Sequence, residues 1–131
     1  MFSLAVFFLS SILCIVVPMQ SKEEIAREVA GGNAVIVKFF TPWCGHCKTL
    51  APEYEKASEE CQGNVVFGEV NCDDHGDLCG QYGVQGFPTV KVFYSQNGAA
   101  VEKDYGGERT AEGIGRFIGG VKGAMGLASG T

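Results

Sequence analysis

The stretch Val35-Ile36-Val37-Lys38-Phe39-Phe40-Thr41-Pro42-Trp43-Cys44-Gly45-His46-Cys47-Lys48 decides how this chain is read. Its first half is an apolar run broken by one lysine, the pattern of a central strand buried on both faces. From Cys44 to about Cys61, Leu50, Tyr54 and Ala57 recur at helical spacing, and Pro52 predicts a kink in that helix. Cys44 and Cys47 therefore stand at a strand-to-helix turn. A helix N-terminus carries partial positive charge, which lowers the pKa of a thiol placed there. The Cys-x-x-Cys pair reads as a redox dithiol. A structural zinc needs four ligands, usually from a second such pair, and Cys14, Cys61, Cys72 and Cys79 do not repeat the spacing. No metal site is expected.

Working outward, Ser21-Lys22-Glu23-Glu24 has capping-box form and opens a helix that Gly31-Gly32-Asn33 stops. Val65 to Val70 reads as the next strand, followed by the polar turn Asp73-Asp74-His75-Gly76 and a short helix around Asp77 to Tyr82. Thr89 to Tyr94 alternates as a strand, Asn97-Gly98 is a strong hairpin signal, and Ala100 to Tyr105 is its partner. Arg109 to Val121 forms a last helix, weakened by its glycines. With Ile15-Val16-Val17 as a first edge strand, the order is βαβαβαββα: an α/β fold with a mixed central sheet and helices on both faces. Residues 15–122 are read as one domain and 123–131 as a flexible tail.

The chain has 131 residues, a net charge of -5 and 19% charged residues. That size suits one core, and the acidic balance argues against nucleic-acid binding. Met1 to Val17 is almost wholly apolar and reads as a signal peptide, although no basic residue precedes the apolar run. Its end is placed at residue 14, with positions up to 21 open. A membrane contact is expected only if this segment stays uncleaved. A secretory route leads to an oxidising compartment, which suits six cysteines.

Several separated motifs, namely Phe39 to Lys48, Leu50-Ala51-Pro52-Glu53-Tyr54, Tyr82-Gly83-Val84, Gly86-Phe87-Pro88-Thr89 and Tyr105-Gly106-Gly107, resemble a catalytic thioredoxin-fold domain of the protein disulfide isomerase family. The resemblance runs from about Ser21 to Val121. It implies a cis peptide before Pro88, beside the dithiol and presenting backbone to substrate. It implies that Arg109 swings toward the dithiol and lowers the pKa of the second cysteine. At Lys38 the family commonly has a buried carboxylate that relays protons, so lysine there is the main departure.

Position assigns the remaining roles. Cys44, ahead of the helix, is expected to be the exposed attacker, and Cys47, one turn in, the buried resolver. His46 adds a polar neighbour that favours the reduced enzyme and so makes the disulfide more oxidising. Lys38 has two readings: a desolvated amine acting as base, or an ammonium that snorkels to the surface. On the isomerase-like reading, Trp43, Phe87 and Pro88 are expected to form an apolar client-binding surface. The span from Cys72 to Cys79 can fold back to bring the Cβ atoms within bonding distance, several isomerase relatives have cysteines at this spacing, and a structural, non-catalytic disulfide is expected. Cys61 is expected to be a buried thiol.

The leading reading is a thiol-disulfide oxidoreductase acting without a cofactor on cysteine-containing client polypeptides of the secretory pathway, in the endoplasmic reticulum lumen. An upstream oxidase or thiol redox couple would recharge it. A thioredoxin-type reductase shares the fold, but His46 argues against it; a non-turnover client-binding module is disfavoured by two intact cysteines. The C-terminal Ala128-Ser129-Gly130-Thr131 is no Lys-Asp-Glu-Leu-type retention signal, so secretion is an alternative fate.

Overall fold

Ala34–Phe40 forms strand β2 at the centre of a five-stranded sheet, and it is buried on both faces from Ala34 to Phe39. The computed structural model describes residues 15–61 and 63–127. The signal-peptide reading of residues 1–14 lies outside these residues, as do the last four residues of the tail. The remaining strands are β1 (Val16–Pro18), β3 (Val65–Asn71), β4 (Thr89–Gln96) and β5 (Ala99–Asp104), in the spatial order β1-β3-β2-β4-β5. β1, β3 and β2 run parallel, whereas β4 is antiparallel to β2 and β5 to β4. Among the described residues four helices accompany them: α1 (Lys22–Ala30), α2 (Gly45–Glu59), α3 (Gly76–Gln81) and α4 (Ala111–Ala124). This is the expected thioredoxin fold.

The period of two along the strands divides the core into two clusters. Ala34 and Ile36 of β2 and Val90, Val92 and Tyr94 of β4 pack with Leu50 and Tyr54 of α2 and Ile114 and Ile118 of α4. Val35, Val37 and Phe39 meet Ile25 of α1 and Leu78 of α3 on the other face. Tyr54 ties the helix layer to the sheet, because its buried hydroxyl donates toward the carbonyls of Ile36 at 2.9 Å and Gly68 at 2.7 Å.

Local chemistry explains the ends of the elements. Ser21 caps α1, accepting the Glu24 N–H at 3.2 Å, as the capping box requires. Asn97 and Gly98 both have positive φ, 53° and 81°, the pairing of a two-residue hairpin turn whose twist matches its strands. The last helix starts two residues later than the sequence suggests, because the Thr110 side chain caps it by accepting the Gly113 N–H at 3.1 Å. Helix α2 continues through Pro52. Cys61, expected as a buried thiol, is instead half-buried and bonded in a disulfide. The pairing of a lone cysteine leaves no spacing signature in a sequence.

The glycines of α4 are not equivalent. A Cβ added at Gly115 or Gly120 would meet open space, whereas one at Gly113 would lie 2.7 Å from the Tyr105 hydroxyl and 2.9 Å from the Glu108 carbonyl oxygen. Gly115→Ala and Gly120→Ala are each expected to stabilise the fold by about 0.5–1 kcal/mol through helix propensity. Gly113→Ala is expected to destabilise it, since a backbone carbonyl cannot step aside cheaply. Urea denaturation of the three variants is the measurement, and equal shifts would contradict this account.

Candidate functional site

Cys44 is the N-cap of α2, with extended φ and ψ of -83° and 123°. The turn is closed by the Cys44 N–H donating to the Thr41 carbonyl at 3.3 Å. The Cys44 sulfur accepts the Cys47 backbone N–H at 3.2 Å, as capping side chains do. Its thiol donates to the Phe87 carbonyl at 3.5 Å, and the Phe87-Pro88 peptide is cis. The loop before β4 thus covers the sulfur.

The two cysteines differ less in exposure than position alone suggests, at 9% for Cys44 and 5% for Cys47. The loop backbone shields the sulfur that was expected to be open. What separates them is electrostatics. The Cys47 thiol, hydrogen-bonding to the Cys44 sulfur, holds the Cys44 pKa below the usual thiol value; burial opposes this, and the backbone N–H groups of Cys47 and His46 and the charge of Arg109 reinforce it. Cys47 is pushed up to about 11, first by burial and then by its hydrogen bond to Cys44, with the Thr41 backbone and the Lys38 charge pulling it back. One sulfur is the readier thiolate and the other the one that keeps its proton.

The sequence-derived candidates gather around this pair in different ways. His46 acts on Cys44 through its backbone N–H. Arg109 bears on Cys44 in this conformation, where the resemblance assigned it to the second cysteine. With Pro88, Leu50, Asp104 and Tyr105, Arg109 lines a cavity of about 230 Å³ on one flank of the cis peptide. Trp43 is 66% exposed and meets Phe87 edge-on, ring centroids 6.2 Å apart. Cys72 and Cys79 are joined in a disulfide with Cα atoms 5.9 Å apart.

Lys38 does not reach the surface. It is 6% exposed, and its Nζ lies 3.5 Å from Oε1 of Glu69 and 5.2 Å from the ring centroids of both Phe40 and Tyr54. Lys38 thus faces a carboxylate and two ring faces rather than solvent. Neither sequence reading of Lys38 described this arrangement.

Sequence reasoning missed Glu69 and Asp73. Lys38 and Glu69 are register partners on the parallel strands β2 and β3, so strand alignment could have found the pair. Asp73 accepts the Trp43 indole N–H at 3.3 Å from a turn read only as polar. Among the described residues, no three His, Cys, Asp or Glu side chains gather as a metal site, and no helix is long and apolar enough to cross a membrane.

Comparison with known proteins matches the thioredoxin family model over residues 16–119. The chain is 45% identical over 100 residues to protein disulfide isomerase-like 2-1 of Oryza sativa subsp. japonica, covering 75% of this chain and 27% of that protein. It is 46% identical over 89 residues to a protein disulfide-isomerase A6 homolog of Drosophila melanogaster, covering 67% of this chain and 20% of that one. The chain thus spans between a fifth and about a quarter of these relatives. Among solved structures, the Trx4 domain of ERdj5 superposes with a TM-score of 0.69 at 26% identity, covering 84% of this chain and 96% of that one. With its dithiol at the N-terminus of α2 and a cis-proline loop against it, the chain belongs to the thioredoxin family, as a domain of the kind that protein disulfide isomerases carry.

Proposed function

We propose that this domain is a thiol-disulfide oxidoreductase that forms, reduces or rearranges disulfides of client polypeptides in the secretory pathway, through Cys44 and Cys47. The observation that carries the reading is the opposed perturbation of the two thiols, Cys44 down and Cys47 up. Disulfide exchange requires a thiolate to attack and a second thiol that waits.

The steps follow from that asymmetry. In reduction, the Cys44 thiolate attacks one sulfur of a client disulfide, forming a mixed disulfide and releasing the other client sulfur as thiolate. Cys47 then loses its proton and attacks the Cys44 sulfur. The Cys44–Cys47 disulfide forms, and the second client sulfur leaves with the remaining electron pair. Oxidation of a client dithiol is the same sequence reversed, and a round that begins and ends with the dithiol rearranges. Lys38, whose charge favours ionised Cys47, is the electrostatic partner of the resolving step rather than its base. Trp43, Phe87 and Pro88 supply the client surface, and Arg109 stabilises the Cys44 thiolate. A secretory location, the endoplasmic reticulum lumen above all, agrees with the disulfide-bonded cysteines outside the dithiol. An oxidase or thiol couple recharges the site there.

The deciding measurement is the reduction potential of the Cys44–Cys47 pair, combined with refolding of a scrambled disulfide substrate. A value near the isomerase figure of about -180 mV is expected, well above the thioredoxin figure of about -270 mV, because stabilising the thiolate stabilises the reduced form. A potential at the thioredoxin end with no refolding activity would make the domain a reductase instead.

A further inference from the structure

Trp43 is the sole tryptophan of the chain, and an exposed indole beside an attacking sulfur is ordinarily free to turn. Here its N–H is tied to Oδ1 of Asp73, thirty positions away in sequence. The turn that carries Asp73 is itself pinned. The Cys72 N–H donates to the Phe40 carbonyl at 2.8 Å, anchoring the turn to the end of β2, and the Cys72 sulfur is bonded to Cys79 of α3. The Asp73 N–H donates to Oδ1 of Asn71 at 3.0 Å, and the N–H groups of Asp74 and His75 both return to the Asn71 carbonyl, at 3.1 and 2.9 Å. A fixed acceptor therefore meets a large exposed ring next to the dithiol.

We infer that Asp73 is a positioning residue for client recognition: it holds the Trp43 indole beside Phe87 as a pre-set apolar wall, from a turn that the Cys72–Cys79 disulfide keeps rigid. The inference rests on the proposed dithiol function and names the client segments it favours, those with an aromatic or bulky apolar residue next to the reacting cysteine. A wall ordered beforehand loses less conformational freedom on binding than a mobile ring, so its effect falls on affinity. The second disulfide thereby acts on client binding without touching the chemistry of the first.

The test uses the whole chain, with paired peptide disulfides carrying Phe or Ser beside the cysteine, and with the fluorescence anisotropy of Trp43. Asp73→Leu is expected to lower the anisotropy and to raise KM for the Phe peptide about threefold to tenfold, the loss of one hydrogen bond's worth of ordering. Its kcat and the pH profile of Cys44 alkylation should stay as in the unmodified protein. Asp73→Asn, which keeps the acceptor oxygen, should restore most of both properties. Joint replacement of Cys72 and Cys79 by serine should reproduce the Asp73→Leu pattern; if that protein does not fold, the Asp73 variants still decide. An unmodified protein that turns over clients, but whose KM ignores Asp73 and does not distinguish Phe from Ser, overturns this inference alone. An unmodified protein with no turnover removes the proposed function, and this inference with it.

Discussion

Replacing Cys47 by alanine is expected to convert the domain into a trap. Mixed disulfides with client cysteines should accumulate on Cys44, and steady-state turnover should fall by orders of magnitude, because the sulfur that resolves them is gone. The structure gives the reason in one contact: the Cys47 thiol hydrogen-bonds to the Cys44 sulfur, so the resolver is already beside the bond it must break. Cys44→Ala should lose turnover equally and accumulate no adduct, since the remaining thiol is 5% exposed and burial, the largest of the causes that raise its pKa, is still in place. Non-reducing electrophoresis of both variants with a disulfide client distinguishes them. Adducts on Cys44→Ala would reverse the assigned roles.

The same asymmetry fixes a pH profile. Alkylation of the reduced protein should rise in two steps. The Cys44 step lies below the usual thiol value, because its ionised form is hydrogen-bonded and faces Arg109; the Cys47 step lies near pH 11, because burial penalises its thiolate. Reactivity at neutral pH therefore belongs to Cys44. In Cys47→Ala the largest influence lowering the Cys44 pKa is removed, so its step should move upward.

The second large effect is expected at the pair of buried Lys38 and half-buried Glu69, and it should be unequal. The Lys38 side chain is 7% exposed and that of Glu69 33%. Glu69→Leu leaves Lys38 buried without its carboxylate partner, and should cost about 3 kcal/mol of stability, at the low end of the range for removing one partner of a buried pair. Lys38→Met leaves a carboxylate that can still reach water, and its methionine can pack against Phe40 and Tyr54, so the stability loss should be under about 1 kcal/mol. Turnover should follow the opposite order. Lys38→Met removes the charge that favours ionised Cys47 and slows resolution of mixed disulfides severalfold, whereas folded Glu69→Leu keeps that charge. Urea denaturation and single-turnover kinetics of the two variants test this. Unchanged turnover in Lys38→Met would remove Lys38 from the mechanism.

Much of this could be read from the chain itself. The order of elements followed from hydrophobic period and turn chemistry: the apolar run to Phe40, the capping Ser21 and the Asn97-Gly98 hairpin each act within a few residues, where sequence and structure share one physical cause. The placement of Cys44 at a helix N-terminus is equally local. Element ends were less legible, as Thr110 illustrates, because a cap is chosen among several competing side chains.

The sequence by itself determined the sheet-and-helix order and a dithiol at the start of a helix, since short-range backbone preferences and a two-residue spacing suffice for both. Tertiary structure decided everything that depends on residues distant along the chain. The Phe87 carbonyl covers the Cys44 sulfur from 43 positions away. Glu69 meets Lys38 only because β2 and β3 are parallel and in that register. Asp73 holds Trp43 because its turn is anchored to the end of β2 and to α3. Hydrogen bonds and charges act over a few ångströms of space, and only the folded chain sets those distances.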